Sequence, residues 1–154
     1  MQMLKVGDKA PDFTGVNQNE ETVKLADYKG SNLILYFYPK DDTPGCTKES
    51  CSLRDFHGEL LEKGYKILGV SADTAAKHQK FIDKYNLPFD LIADTEKEII
   101  KAYDCWGLKK FMGKEYEGII RTTYIISKEG KISHIFKKVK TASHAEQILE
   151  EVEN

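Results

Sequence analysis

Apolar residues along the chain fall into short runs of two kinds. Leu33-Ile34-Leu35-Tyr36-Phe37-Tyr38 is unbroken, the mark of a strand covered on both faces. It stops at Pro39, which has no N–H to give to a ladder. Ile67-Leu68-Gly69-Val70-Ser71 and Phe89-Asp90-Leu91-Ile92-Ala93-Asp94 read as two further strands. Between them the spacing turns helical. Leu53, Phe56, Leu60 and Leu61 share one stripe, with Thr43 as N-cap, Pro44 at the first helical position and Gly64 as the stop. Thr74 to Tyr85 predicts a helix with Phe81 and Tyr85 on one side, and Glu96 to Tyr103 a shorter one. The last third gives two alternating strands, Arg121 to Ser127 and Lys131 to Phe136, joined at Glu129-Gly130, and a closing helix from Ser143 to Val152. Turn signals at Gly7-Asp8, Ala10-Pro11-Asp12 and Gly15 make the opening an irregular arm or a small hairpin.

This order is α/β and predicts a central mixed sheet flanked by helices on both faces. A thioredoxin-like sandwich satisfies it, and so does a small flavodoxin-like fold; the pattern alone does not separate them. With no repeat, low-complexity tract or linker, residues 1–154 read as one domain.

Composition narrows the function classes. A formal net charge of −2 provides no basic field for nucleic acid or an anionic membrane. No segment reaches the roughly 20 apolar residues that span a bilayer. The opening Met1-Gln2-Met3-Leu4-Lys5-Val6-Gly7-Asp8-Lys9 has no apolar signal core, so a cytoplasmic location is expected. Three cysteines in a reducing compartment do not make a disulfide framework. They are catalytic, metal-binding or buried.

The informative stretch is Pro39-Lys40-Asp41-Asp42-Thr43-Pro44-Gly45-Cys46-Thr47-Lys48-Glu49-Ser50-Cys51. With Thr43 as N-cap, Cys46 is the third helical residue, beside unpaired N–H groups and the positive end of the dipole. A free thiol of pKa about 8.5 is only about 3% thiolate at pH 7, and lowering that value to roughly 6 makes it about 90% thiolate. The dipole alone is worth about 0.3–1 kcal/mol, less than this requires, so the site needs a guanidinium. Arg54 lies eight residues along the same helix, about 12 Å up its axis. Arg121 opens an inner strand, where a long cation is unexpected unless it points into a site, and is the better candidate.

Cys51 lies five residues past Cys46. On an intact helix that offset separates Cα atoms by roughly 8–9 Å, whereas a disulfide needs about 4.4–6.8 Å. A bond between them therefore requires the first turns to unwind. A small buried Cys51 without chemistry is equally consistent with the spacing. Zinc is disfavoured, because Cys-x4-Cys is the wrong spacing and no second Cys/His pair accompanies it. Cys-x-x-Cys is absent. A Cys–His hydrolase would need His57, His78, His134 or His144 beside the thiol; each reads as a surface or strand histidine.

The run from Phe37 to Thr47 closely resembles the peroxiredoxin active-site loop, Pro-x-x-x-Thr/Ser-x-x-Cys. Lys48-Glu49-Ser50-Cys51 is similar to the bacterioferritin comigratory protein (Q-type) subfamily, in which a second cysteine follows five residues after the first. Val6-Gly7-Asp8-Lys9-Ala10-Pro11-Asp12-Phe13, Trp106-Gly107 with Lys109-Lys110-Phe111-Met112-Gly113-Lys114, and Arg121-Thr122-Thr123-Tyr124 extend the likeness over nearly the whole chain. It implies a thioredoxin-like fold and a cofactor-free, metal-free thiol peroxidase for hydrogen peroxide and small organic hydroperoxides. Cys46 would become a sulfenic acid. Thr43 and Arg121 would orient the peroxide and stabilise charge, Pro39 would shield the sulfur, and Glu49 would hold the arginine. Cys51 would resolve the sulfenate as an intramolecular disulfide, which a thioredoxin-type partner reduces. Such a cycle needs no second subunit, so a monomer is expected.

Cys105 departs from the subfamily, which carries an apolar residue such as valine there. It reads as a buried thiol replacing a small hydrophobe, against the alternative of a third redox thiol. A dedicated thiol–disulfide oxidoreductase and a non-enzymatic thiol switch are the competing functions; the missing Cys-x-x-Cys and the presence of Thr43 and Arg121 count against the first.

Overall fold

Leu33 to Phe37 do form a strand with no exposed member, and the fold is organised around it. The computed structural model describes residues 4–152; residues 1–3 and 153–154, which the one-domain reading includes, lie outside the described residues, as does the side chain of Phe111. In chain order the elements are β1 (Thr14–Val16), β2 (Thr22–Lys24), a 3-10 turn (Leu25–Tyr28), β3 (Asn32–Phe37), α1 (Pro44–Asp55), α2 (His57–Glu62), β4 (Tyr65–Ser71), α3 (Ala75–Tyr85), β5 (Asp90–Ala93), α4 (Glu98–Ala102), β6 (Trp106–Phe111), β7 (Lys114–Ile119), β8 (Thr122–Ile126), β9 (Ile132–Phe136), a 3-10 turn (Thr141–Ser143) and α5 (His144–Val152).

The central sheet has the order β5-β4-β3-β8-β9. β3, β4 and β5 run parallel, each crossover made through helix, while β8 and β9 are antiparallel additions on the other side of β3. This mixed sheet is the predicted one. Side chains of β3 alternate between two cores. Leu33, Leu35 and Phe37 join Phe13, Val70, Ile100, Tyr103 and Tyr124 on one face; Ile34, Tyr36 and Tyr38 join Leu53, Leu60, Phe81, Ile125, Ala145 and Ile148 on the other. The second face is covered by α1, α2, α3 and α5, and it carries Cys46.

Four expectations are corrected. The helix predicted from Thr43 to Gly64 is broken at Phe56 (φ −105°, ψ 9°), where the flattened ψ ends α1 and α2 begins. Leu61, counted in its apolar stripe, is 45% exposed as a result. β8, read as alternating, is buried at every position because both its faces are covered, Tyr124 and Ile126 entering one core and Ile125 the other. The β6–β7 hairpin was not anticipated; its strands carry lysines and glutamates, and its turn, Met112-Gly113, takes φ of 52° and 80°, the all-positive geometry of a two-residue hairpin loop. The opening does form a small hairpin, β1 with β2.

Candidate active site

The site forms where β3 ends and α1 begins. Pro44 occupies the first helical position and Thr43 is the extended residue before it, as the sequence predicts. The Thr43 side chain does not cap, however; its hydroxyl turns back and donates to the Lys40 carbonyl at 2.8 Å. The first helical bond is Thr47 N–H to Thr43 O, so the amides of Gly45 and Cys46 precede the ladder and face the helix mouth. Cys46, third in the helix, is fully buried.

Arg121, immediately before β8, reaches across to this mouth. Its Nη2 donates to Cys46 Sγ at 3.2 Å, and its Nη1 donates to Glu49 Oε1 at 2.5 Å. The guanidinium thus bridges a sulfur and a carboxylate that lie three residues apart, on the same side of α1. Gly45 makes room for it, since a Cβ there would sit 3.3 Å from Nη2. Arg54, the alternative cation, points elsewhere, to Asp55 and the Tyr85 carbonyl. Burial pushes the fully buried Glu49 up to about 7 even though Arg121 pulls the other way.

The structure brings Cys46, Arg121 and Glu49 together, with Thr43 one turn from the sulfur and Pro39, half-buried, in the loop before it. Cys51 is on the same continuous helix, half-buried, and all three cysteines are free. Burial raises the Cys51 thiol, Arg54 opposing it. Cys105 is fully buried, donates to the Tyr103 carbonyl at 3.3 Å, and burial pushes it up to about 12. A thiol so protonated is a poor nucleophile, which supports its reading as a filler of apolar space. Cys105→Val is expected to leave peroxide consumption within twofold and to shift unfolding free energy by less than about 1.5 kcal/mol, by stopped-flow and urea titration respectively.

Three features escaped the sequence reading. His78 and His144, taken for surface or strand histidines, are fully buried, on α3 and at the start of α5. His78 Nε2 meets the Ile92 carbonyl at 2.9 Å and so carries a proton, while Nδ1 lies 2.6 Å from Asp41 Oδ2. Asp41 also accepts from the Tyr38 hydroxyl, and its own N–H donates to Asp73 Oδ2 at 2.8 Å. The loop between β3 and α1 is therefore pinned to β4 and α3 by a buried polar cluster. The ligand atoms of Asp41, Asp73 and His78 lie within 4.8 Å of one another, but they are already engaged: His78 Nδ1 with Asp41 Oδ2, Asp41 Oδ1 with the Tyr38 hydroxyl, and Asp73 Oδ2 with the Asp41 N–H and the Ser71 hydroxyl. The third feature is Lys109 on β6. Burial lowers its ammonium, as does the charge of Arg121, against Cys46, which puts a second cation at the edge of the site. The partners that bury these residues come from distant positions: Asp41 lies 37 residues from His78, Thr123 21 from His144 and Ile119 10 from Lys109.

The AhpC/TSA family model matches residues 6–135. The chain is 49% identical over 147 residues to a peroxiredoxin, Bcp, of Bacillus subtilis (96% of this chain, 94% of that one) and 42% identical over 149 residues to peroxiredoxin Bcp of Escherichia coli K12 (97% and 96%). Among solved structures, a mutant of Xanthomonas campestris peroxiredoxin Q superposes with a TM-score of 0.88 at 34% identity, covering 97% of this chain and 96% of that one. The Xanthomonas campestris bacterioferritin comigratory protein, in structures concerned with its alkyl peroxide reduction activity, gives 0.87 at 33% identity, covering 97% and 96%.

Proposed function

The chain belongs to the AhpC/TSA family, among the Bcp and peroxiredoxin Q peroxidases, and from that membership we propose a division of labour between its two α1 cysteines. Cys46, as thiolate, attacks the terminal oxygen of hydrogen peroxide or an organic hydroperoxide. The O–O bond breaks, the sulfur is oxidised to a sulfenic acid, and the departing hydroxide or alkoxide takes up a proton to leave as water or alcohol. Cys51 then attacks the sulfenic sulfur, water departs, and a Cys46–Cys51 disulfide closes. A thioredoxin-type dithiol restores both thiols by exchange. The alkyl peroxide reduction activity associated with the Xanthomonas campestris relative supports extending the substrates to organic hydroperoxides.

The observation that carries this reading is the guanidinium of Arg121, donating to Cys46 Sγ at the mouth of α1 while tied to Glu49. Its fork, with the free amides of the first turn, offers donors where negative charge accumulates as the O–O bond lengthens. Thr43 suits its orienting role, because a hydroxyl that donates to Lys40 O keeps its lone pairs for a peroxide O–H. Pro39 removes one N–H from the loop and limits water at the sulfur. Glu49 fixes the arginine. The whole scheme runs within one domain spanning residues 1–154 and a single subunit, in the cytoplasm, without metal or cofactor. Among the described residues no helix is long and apolar enough to cross a membrane.

One measurement tests the cycle. After one equivalent of hydrogen peroxide, the intact mass is expected to fall by about 2 Da, the two hydrogens of a disulfide, with peptide mapping placing the bond between residues 46 and 51. A gain of one oxygen that persists for minutes would show that Cys51 does not resolve the sulfenate.

A further inference from the structure

Behind Arg121 the site ends in a pair of side chains that this scheme does not use. Glu49 and His144 are both fully buried, and Glu49 Oε2 has no hydrogen-bond partner. His144 Nε2 stands 3.6 Å from that oxygen. The ring is held on both sides: Nδ1 lies 2.9 Å from Gln147 Oε1, an oxygen that also accepts the Lys140 N–H, and Nε2 lies 2.8 Å from Thr123 Oγ1. With its proton on Nδ1, the ring turns the Nε2 lone pair toward Glu49, and an ionised Glu49 would meet it with another. A single proton between the two removes the conflict.

We propose that His144 is a positioning residue for the thiol site: it shares one buried proton with Glu49, and that proton keeps α1 wound over Cys46 until resolution requires it to open. The inference rests on the proposed Cys46–Cys51 closure. Glu49 lies between the two cysteines, so unwinding the turns that separate them carries its carboxyl out of the pocket. In water the carboxyl returns to its ordinary value of 4.5 and sheds the proton at neutral pH. The wound helix therefore binds a proton that the opened helix does not.

The groups facing Glu49 are Arg121 ahead of β8, Cys46 on α1, Tyr36 on β3 and His144 on α5; Lys109 on β6 faces Arg121 and Cys46. Burial drives Tyr36 well above 10 and keeps it neutral, Arg121 is held charged beside Glu49 and Cys46, and the Cys46 sulfenic acid is common to wild type and variants, so its proton cancels in their ratio. The Glu49–His144 pair is left to titrate. Burial raises Glu49 to about 7 and lowers His144 to about 4, the Gln147 bond opposing the latter. A carboxyl raised in the wound state favours that state fully below about 4.5 and loses the effect as pH climbs through about 7. Opening becomes easier by up to about two orders of magnitude across that window and levels off above it.

The closure rate after one equivalent of hydrogen peroxide, followed by acid quench and intact mass from pH 5.5 to 8.5, tests this. Cys51 ionisation also raises that rate with pH, but it cancels in the ratio of variant to wild type. His144→Leu removes both the Nε2 lone pair that an ionised Glu49 would meet and the acceptor for its proton, so Glu49 is held up less and the ratio is expected to fall at least threefold with pH. His144→Asn supplies an N–H to the ionised carboxylate, and its ratio is expected to fall at least threefold. Glu49→Gln has no proton to shed, and its ratio should fall from pH 5.5 to 7 and then flatten. Any two of these variants suffice if one does not fold. Flat ratios, or a ratio that rises with pH for either His144 variant, overturn the inference alone. A wild type that closes no Cys46–Cys51 bond overturns the reading beneath it, and the inference with it.

Discussion

Serine at position 46 is expected to abolish peroxide consumption, while serine at position 51 is expected to consume one equivalent and then stop. The asymmetry follows from the chemistry of each step. A serine hydroxyl at the mouth of α1 stays protonated at neutral pH and lacks sulfur's polarisable lone pair, so the helix amides and Arg121 have no nucleophile to serve. Nothing else in the site can replace it: Cys105 is buried and pushed up to about 12. Cys51→Ser, in contrast, leaves the guanidinium, Glu49 and Cys46 untouched, and the first oxidation proceeds. What is lost is the internal thiol that turns a sulfenic acid into a substrate for a dithiol reductant. Consumption with a thioredoxin system should show a stoichiometric burst without turnover, and excess peroxide should carry Cys46 on to the sulfinic acid, 32 Da heavier than the thiol by the two oxygens added (roughly 16 Da each). Normal cycling of Cys51→Ser with thioredoxin would reassign the resolving role.

Arg121→Met should slow the first oxidation by about 10²–10³ at pH 7. Two losses combine. The sulfur gives up a charge-assisted donor worth about 1.5–3 kcal/mol, and developing charge on the peroxide oxygens gives up a preorganised one of similar weight. Because these act on the same reacting atoms they are not additive, and about 3–4 kcal/mol is the expected sum. Glu49 is left behind, fully buried and without its ion-pair partner, and will take a proton rather than stay charged. The protein is therefore expected to fold, with a Tm change of only a few degrees. Arg121→Lys restores charge but not the fork that reaches sulfur and carboxylate together, and should recover less than a tenth of the rate. Stopped-flow fluorescence from Trp106 measures each. A rate within threefold of wild type for Arg121→Met would remove the arginine from the mechanism.

Much of this architecture was legible because local rules and global packing agree. The β3 run reads as a doubly covered strand and is one, since a core packs against each of its faces. Thr43-Pro44 marks the start of α1 because an extended residue followed by a ring-locked φ fits only a helix entry. The departures have equally physical causes. In β6 and β7, where Lys110 pairs with Glu115 across the hairpin, charged residues break up the apolar alternation of Trp106 and Leu108, and Met-Gly is not a sequence that advertises a two-residue turn. The burial of His78 and His144 depends on hydrogen-bond partners that the fold brings from other elements, Asp41 to one ring and Thr123 to the other. Of the site, Cys46, Arg121 and Glu49 could be assembled from the helix entry and the family resemblance; what lies behind Glu49 could not, because nothing in the sequence ties His144 to Thr123, 21 residues away, or to Glu49.

The cluster of Asp41, Asp73 and His78 bears on how far the redox cycle can reach. It fixes the chain beside β4 and α3 just ahead of the residues that the proposed closure rearranges, while the next residue, Asp42, sits outside with φ of 58° and bonds to Lys84 and Tyr85 at the surface. A rope tied off at Asp41 can go slack beyond the knot without tugging on what precedes it. The proposed Cys46–Cys51 closure would thereby leave the central sheet undisturbed and confine the rearrangement to the stretch beyond Asp41.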